Sequence, residues 1–206
     1  MKNAGWSAIV LSLSLLFASC VQPVHKLSRD ESFMKREATR KPWRRVAILP
    51  FTGDPAVRRV AAEWFAFRVH RHGLFDVVDP SLAEIELKKN GILFGDAGTT
   101  LAEAQNAGNL LGVDGVVFGS IAPQPPPVRQ GPPTAGASIV DMATGKVVGN
   151  SIHSYVMGTR DLEERVMVAV DRVEEDLVPV FYAAAGRSWT PPPKEDTQGQ
   201  DPPESR

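Results

Sequence analysis

An almost unbroken apolar run at residues 46–51, Val-Ala-Ile-Leu-Pro-Phe, restricts the fold of this chain more than any other segment. A strand without alternating polar positions has both faces buried, and such strands occur in sheets that helices cover on each side. Asp54 and Pro55 follow the run and are typical of a helix cap and a first helical position. The run therefore predicts an α/β architecture.

Two helices, separated by a short strand, are predicted in the stretch that follows this strand. Gly73 is typical of a helix end, so the first helix is expected over residues 55–72. The Asp-Pro pair at 79–80 opens a second helix that stops near Asn90. A short strand at 75–78 separates the two helices.

A third helix and a third strand come next. Thr100 and Glu103 have capping-box spacing, and Gly112 is placed to end the helix that they start. The apolar stretch 115–121 then predicts a strand. A proline-rich loop leads from it to a hairpin with strands at 137–141 and from Lys146 onward.

The last helix is expected to begin at Asp161, with Glu164 three positions later. Pro179 is expected to kink or end it. Its apolar residues recur on one stripe at helical spacing: Leu162, Val166, Val170, Val173 and Leu177.

This order, β-α-β-α-α-β-β-β-α, predicts a single α/β (mixed α+β) domain with a mixed sheet covered by helices, over residues 45–186. The chain contains one cysteine, so a hydrophobic core rather than a disulfide must stabilise the fold. Its formal net charge is −1, which does not suggest a nucleic-acid partner.

The N-terminus carries the second informative pattern. Lys2 precedes an apolar run at 8–17 that is too short to span a bilayer but suits an export signal, and Cys20 follows two small residues. The pattern resembles a bacterial lipobox, with Phe17 where Leu is usual. The resemblance implies a signal peptide at 1–19 and a diacylglycerol and N-acyl group on Cys20. The alternatives are an uncleaved signal anchor and an ordinary buried cysteine.

Both flanks of the domain have the composition of unstructured segments. Residues 20–44 are predicted to be a basic tether, lying on anionic lipid or acting as a solvated linker. Residues 187–206 are rich in proline and charge and are predicted to be a disordered tail.

Four segments in order resemble the curli assembly and transport (CsgG-like) lipoproteins: 46–51, 73–79, 110–120 and 141–147. The N-terminal domain of the Tol-Pal translocation protein and a lipoprotein activator of penicillin-binding proteins share the pattern. The resemblance implies a fold and a cell-envelope setting, not a reaction. The proline-rich loop is too short for the membrane hairpins of pore-forming members, so a channel formed by this chain alone is not expected.

Patterns for catalysis or metal binding are weak. His70 and His72 lie on different sides of a predicted helix, and His153 has no acidic residue or cysteine near it in sequence. The acidic residues at 174–176 are expected on a solvated helix surface. No catalytic residue, metal ligand or bound cofactor is therefore predicted, and the chain is expected not to be an enzyme.

The first predicted helix has apolar residues on more than one face. One stripe contains Val57, Val60, Trp64 and Phe67, and a second contains Ala62, Phe65, Ala66 and Val69. Either the helix is buried on both sides within the domain, or one stripe meets another subunit or partner. The first stripe is the candidate interface, because aromatic residues are enriched at interface hot spots.

The combined expectation is an outer-membrane lipoprotein on the periplasmic face that acts as a non-enzymatic interaction module in envelope biogenesis or secretion. Its expected partners are the membrane through the anchor, envelope proteins and a second copy of the chain. The alternatives are a regulator or scaffold of peptidoglycan synthesis and an envelope enzyme with an unrecognised site.

Overall fold

The computed structural model describes residues 33–34, 41–94, 98–122, 133–155 and 161–191, all within one unit, Glu31–Arg206. The predicted signal peptide, Cys20, most of the tether and the end of the tail lie outside the described residues.

Within this part of the chain, seven strands form one mixed sheet in the order β1-β7-β6-β5-β2-β4, with β3 paired to β5. The strands are β1 (Phe33–Met34), β2 (Arg45–Ile48), β3 (Thr52–Gly53), β4 (Asp76–Val78), β5 (Gly115–Ala122), β6 (Thr134–Asp141) and β7 (Lys146–Ser154). The helices are α1 (Arg58–Arg71), α2 (Pro80–Lys89), α3 (Leu101–Leu111) and α4 (Leu162–Ala184). The predicted α/β class is confirmed.

The sheet combines a parallel half and an antiparallel half. Strand β2 pairs in parallel with β4 on one side and with β5 on the other. Strands β5, β6 and β7 are antiparallel, and the predicted β6–β7 hairpin is confirmed. Gly145 has a φ of 66°, and its N–H donates to the Asp141 carbonyl oxygen over 2.8 Å.

Helices cover both faces of the sheet, as the apolar run at 46–51 predicts. Val46 and Ile48 belong to the core cluster beneath α1 and α4. Ala47 and Leu49 belong to a second cluster beneath α2 and α3. Strand β2 is therefore buried on both faces.

The predicted helix ends hold at α2 and α3 but not at the start of α1. Asp79 caps α2, and the Thr100–Glu103 capping box starts α3. In that box the backbone N–H of Thr100 and, to a smaller extent, its hydroxyl donate hydrogen bonds to the Glu103 carboxylate. Both bonds lower the pKa of Glu103. Helix α1 begins three residues later than predicted, because the Asp54 side chain binds the Ala56 N–H in a preceding turn.

Pro179 does not end the last helix: it lies inside α4, which continues to Ala184. Proline inside a helix costs about 3 kcal/mol through the lost hydrogen bond and steric contact. The residues around it are buried in the sheet-facing core, including Leu177, Val180 and Phe181. Burial of several large apolar side chains at about 1.5–3 kcal/mol each outweighs that cost.

Trp43, from the stretch assigned to the tether, belongs to the core. Its ring is buried, and its Nε1 donates to Asp141 Oδ1 over 3.0 Å. Gly115 lies directly beneath the ring, where a Cβ would overlap it. The fold thus extends into the segment predicted to be the tether, through Trp43 and through β1, which pairs with β7.

Candidate protein-binding surface

The two apolar stripes of α1 have different environments. Ala62, Phe65, Ala66 and Val69 are buried against the sheet and α4. The other stripe runs from the core to the surface. Val57 is buried, Val60 and Trp64 are partly exposed, and the Phe67 side chain is 48% exposed. We call Val60, Trp64 and Phe67 the aromatic surface.

Neighbouring side chains hold the aromatic surface in place. Trp64 Nε1 donates to Asp171 Oδ1 on α4 over 2.8 Å. The Trp64 and Phe67 rings are 5.4 Å apart with an interplanar angle of 31°. The Arg71 guanidinium lies 5.8 Å from the centre of the Phe67 ring, within the range of a cation–π contact. The exposed phenyl group is therefore positioned before any partner arrives.

A buried carboxylate joins α1 to α4 beside this surface. Glu174 is fully buried, and its Oε2 accepts from Arg68 Nη2 over 3.3 Å. Its Oε1 lies 2.7 Å from His72 Nε2. Arg68 also lies 3.4 Å from Asp171. The expectation that Glu174 lies on a solvated helix surface is wrong, because α1 packs against that side of α4.

His153 acquires an acidic neighbour that the sequence did not indicate. Asp176 Oδ2 on α4 lies 2.7 Å from His153 Nε2 and 2.8 Å from the Ser151 hydroxyl. Ser151 is fully buried, and its hydroxyl is directed to the carboxylate rather than to the imidazole. Asp176 thereby connects both of these β7 side chains to α4.

The described residues contain neither a candidate metal site nor a candidate membrane-spanning helix. Among residues 33–34, 41–94, 98–122, 133–155 and 161–191, no group of three or more His, Cys, Asp or Glu side chains could hold a metal ion. No helix in these ranges has the length and apolar character that a bilayer crossing requires.

Neither a protein-family model nor a curated protein matches the chain. Lipoprotein GNA1162 from Neisseria meningitidis is a matching solved structure, covering 66% of this chain and 98% of its own, with 15% identity and a TM-score of 0.47. A PelC dodecamer from Paraburkholderia phytofirmans covers 72% of this chain and 96% of its own, with 14% identity and a TM-score of 0.46. The LpoB C-terminal domain from Escherichia coli covers 58% and 88%, with 14% identity and a TM-score of 0.42. These likenesses assign neither a family nor a function, and they do not show the predicted resemblance to curli lipoproteins.

Proposed function

We propose that this chain is a lipid-anchored protein of the bacterial outer membrane that acts by binding another envelope protein through the aromatic surface, without catalysing a reaction. The observation that carries the proposal is the exposed Phe67 ring, held between Trp64 and Arg71 on a helix that α4 braces.

The aromatic surface suits binding because contacts within the folded domain already order its side chains, so binding a partner costs little further side-chain entropy. Interface hot spots are enriched in Trp, Tyr and Arg and lie in rigid, well-packed settings. A partner that covers Phe67 gains apolar burial without having to order the ring first, since Trp64 is already fixed to Asp171. Val57 contributes to the core beneath this surface rather than to contact with a partner.

The anchor supplies the proposed location. A diacylglycerol and an N-acyl group on Cys20 together bury enough methylenes for lasting membrane attachment. Because β1 (Phe33–Met34) already pairs with β7, about 12 residues separate Cys20 from the folded domain; they reach at most roughly 45 Å, whereas a flexible coil of that length averages about 20 Å. A partner close to the same membrane, in assembly or secretion, therefore fits best.

Substitution of Phe67 separates binding from folding. We expect Phe67→Ala to reduce recovery of the partner from detergent-solubilised native membranes by at least about tenfold. The free energy of unfolding should change by less than about 1 kcal/mol, because half of the ring is already in water. Quantitative mass spectrometry of affinity captures and urea unfolding measure the two quantities.

Ile152→Ala is the matched control, since Ile152 is similarly exposed but lies on β7. It should retain the captured proteins. Undiminished capture by Phe67→Ala, or unfolding of that variant, would contradict the proposal. Recovery of secretion or assembly components supports the stated role, and recovery of peptidoglycan synthases replaces it with a regulatory role in wall synthesis.

A further inference from the structure

A second surface, separate from the aromatic surface, lies along the edge of the sheet that is farthest from β1 and β7. Strand β4 ends the sheet there, and in the described part of the chain no strand pairs with its outer edge. In the pairing of β4 with β2, Val77 lies opposite Val46, between the Arg45–Asp76 and Ala47–Val78 pairs. Because the backbone groups of successive residues point to opposite sides of a strand, the N–H and C=O of Val77 point away from β2 and toward this free edge.

Exposed apolar side chains border the same edge. Leu82 and Ile85, one turn apart on α2, are 63% and 53% exposed. With Val77 and Leu110 they line one open groove. The edge strand and the apolar stripe therefore form a continuous surface, which we call the edge groove.

We infer that the edge groove binds a second copy of this chain, through a two-fold axis that passes near Val77 perpendicular to the sheet. Such an axis pairs β4 with the β4 of the other copy in the antiparallel sense. Because α2 lies on one face beside β4, the same axis sets the two α2 helices side by side and antiparallel. Leu82 and Ile85 of each copy then meet those of the other.

The charges around the groove favour a copy of the same chain over a partner of one charge sign. Arg45 lies 3.4 Å from Asp76, and Lys89 lies 3.1 Å from Glu86, so each cation is next to an anion. With Val77 facing its own copy, Asp76 faces Val78 rather than another Asp76. The axis thus avoids direct opposition of like charges, which would weaken pairing.

The shortness of β4 also determines where the binding energy lies. Three residues provide few backbone hydrogen bonds, so strand pairing alone is weak. Burial of Leu82 and Ile85 in both copies provides the main contribution. Association is therefore sensitive to a single charged side chain on α2.

Two measurements on the full-length lipoprotein test the inference. Light scattering during size exclusion in detergent is expected to give a protein mass of two chains for the wild type. Ile85→Glu, which places a carboxylate of each copy near the axis, should weaken the dimer at least about tenfold. Leu93→Glu, at a still more exposed leucine outside the groove, should leave it unchanged.

A photo-cross-linking residue at Leu82 then identifies the occupant in native membranes. Adducts that contain two differently tagged copies of the chain support the inference. A single-chain mass at all accessible concentrations, a dimer that Ile85→Glu leaves intact, or adducts with other proteins alone would overturn it. None of these results depends on the aromatic surface, so the proposed function is tested separately.

Discussion

Trp43→Ala is expected to lower the free energy of unfolding by about 3–5 kcal/mol, the range for truncation of a large buried aromatic side chain. The Trp43 ring is buried against Gly115 of β5, 6.1 Å from the Phe75 ring. Its Nε1 is a hydrogen-bond donor to the buried Asp141 carboxylate. Alanine leaves a cavity and removes that donor, although the Thr144 hydroxyl still donates to Asp141 Oδ2 over 2.7 Å.

Trp189→Ala is the control, because the same side chain is removed from an exposed position. It should change the free energy of unfolding by no more than about 0.5 kcal/mol. Urea denaturation followed by circular dichroism measures both variants. Equal, small losses for the two would mean that residues before β2 do not belong to the core.

Glu174→Ala is expected to cost about 2–4 kcal/mol. The fully buried carboxylate accepts from Arg68 and contacts His72, and the substitution leaves both side chains without it. Arg68 and His72 are each about a quarter exposed, so water partly replaces the lost contacts and places the cost below that of a fully enclosed pair. The loss should act mainly on the packing of α1 against α4.

The neighbouring acidic residue provides the control for this prediction. Glu175 forms an exposed ion pair with Arg172 at 2.8 Å, so Glu175→Ala should change stability by less than about 1 kcal/mol. The Glu175 effect should also decrease in high salt, because exposed pairs are screened. A Glu174→Ala cost as small as the Glu175→Ala cost would show that the buried contacts do not stabilise the α1–α4 pair.

Features set by neighbouring residues could be predicted from the sequence. The Asp79 cap, the Thr100–Glu103 box and the turn at Gly145 each depend on groups within about four positions. The burial of β2 on both faces also follows from its own composition. These local rules suffice for the α/β class and for the nine predicted elements in their order, but not for the two-residue strands β1 and β3.

Features that depend on distant contacts could not be predicted. Nothing beside Glu174 in sequence indicates burial, because its partners lie on α1, about 100 residues earlier. The same holds for Trp43 and Asp141, and for His153 and Asp176. Pro179 is tolerated within α4 because tertiary burial outweighs a local rule. For the candidate interface, helical spacing placed Val57 and Phe67 on one stripe but could not separate the buried Val57 from the exposed Phe67.

Attachment of this domain to the membrane through Cys20 is the central claim, since it determines which partners the aromatic surface can meet. Intact-mass analysis of the chain recovered from membranes tests it directly. We expect a polypeptide that begins at Cys20 and carries a diacylglycerol and an N-acyl group. An unmodified Cys20 still joined to residues 1–19, in protein recovered from the non-membrane fraction, would contradict the account.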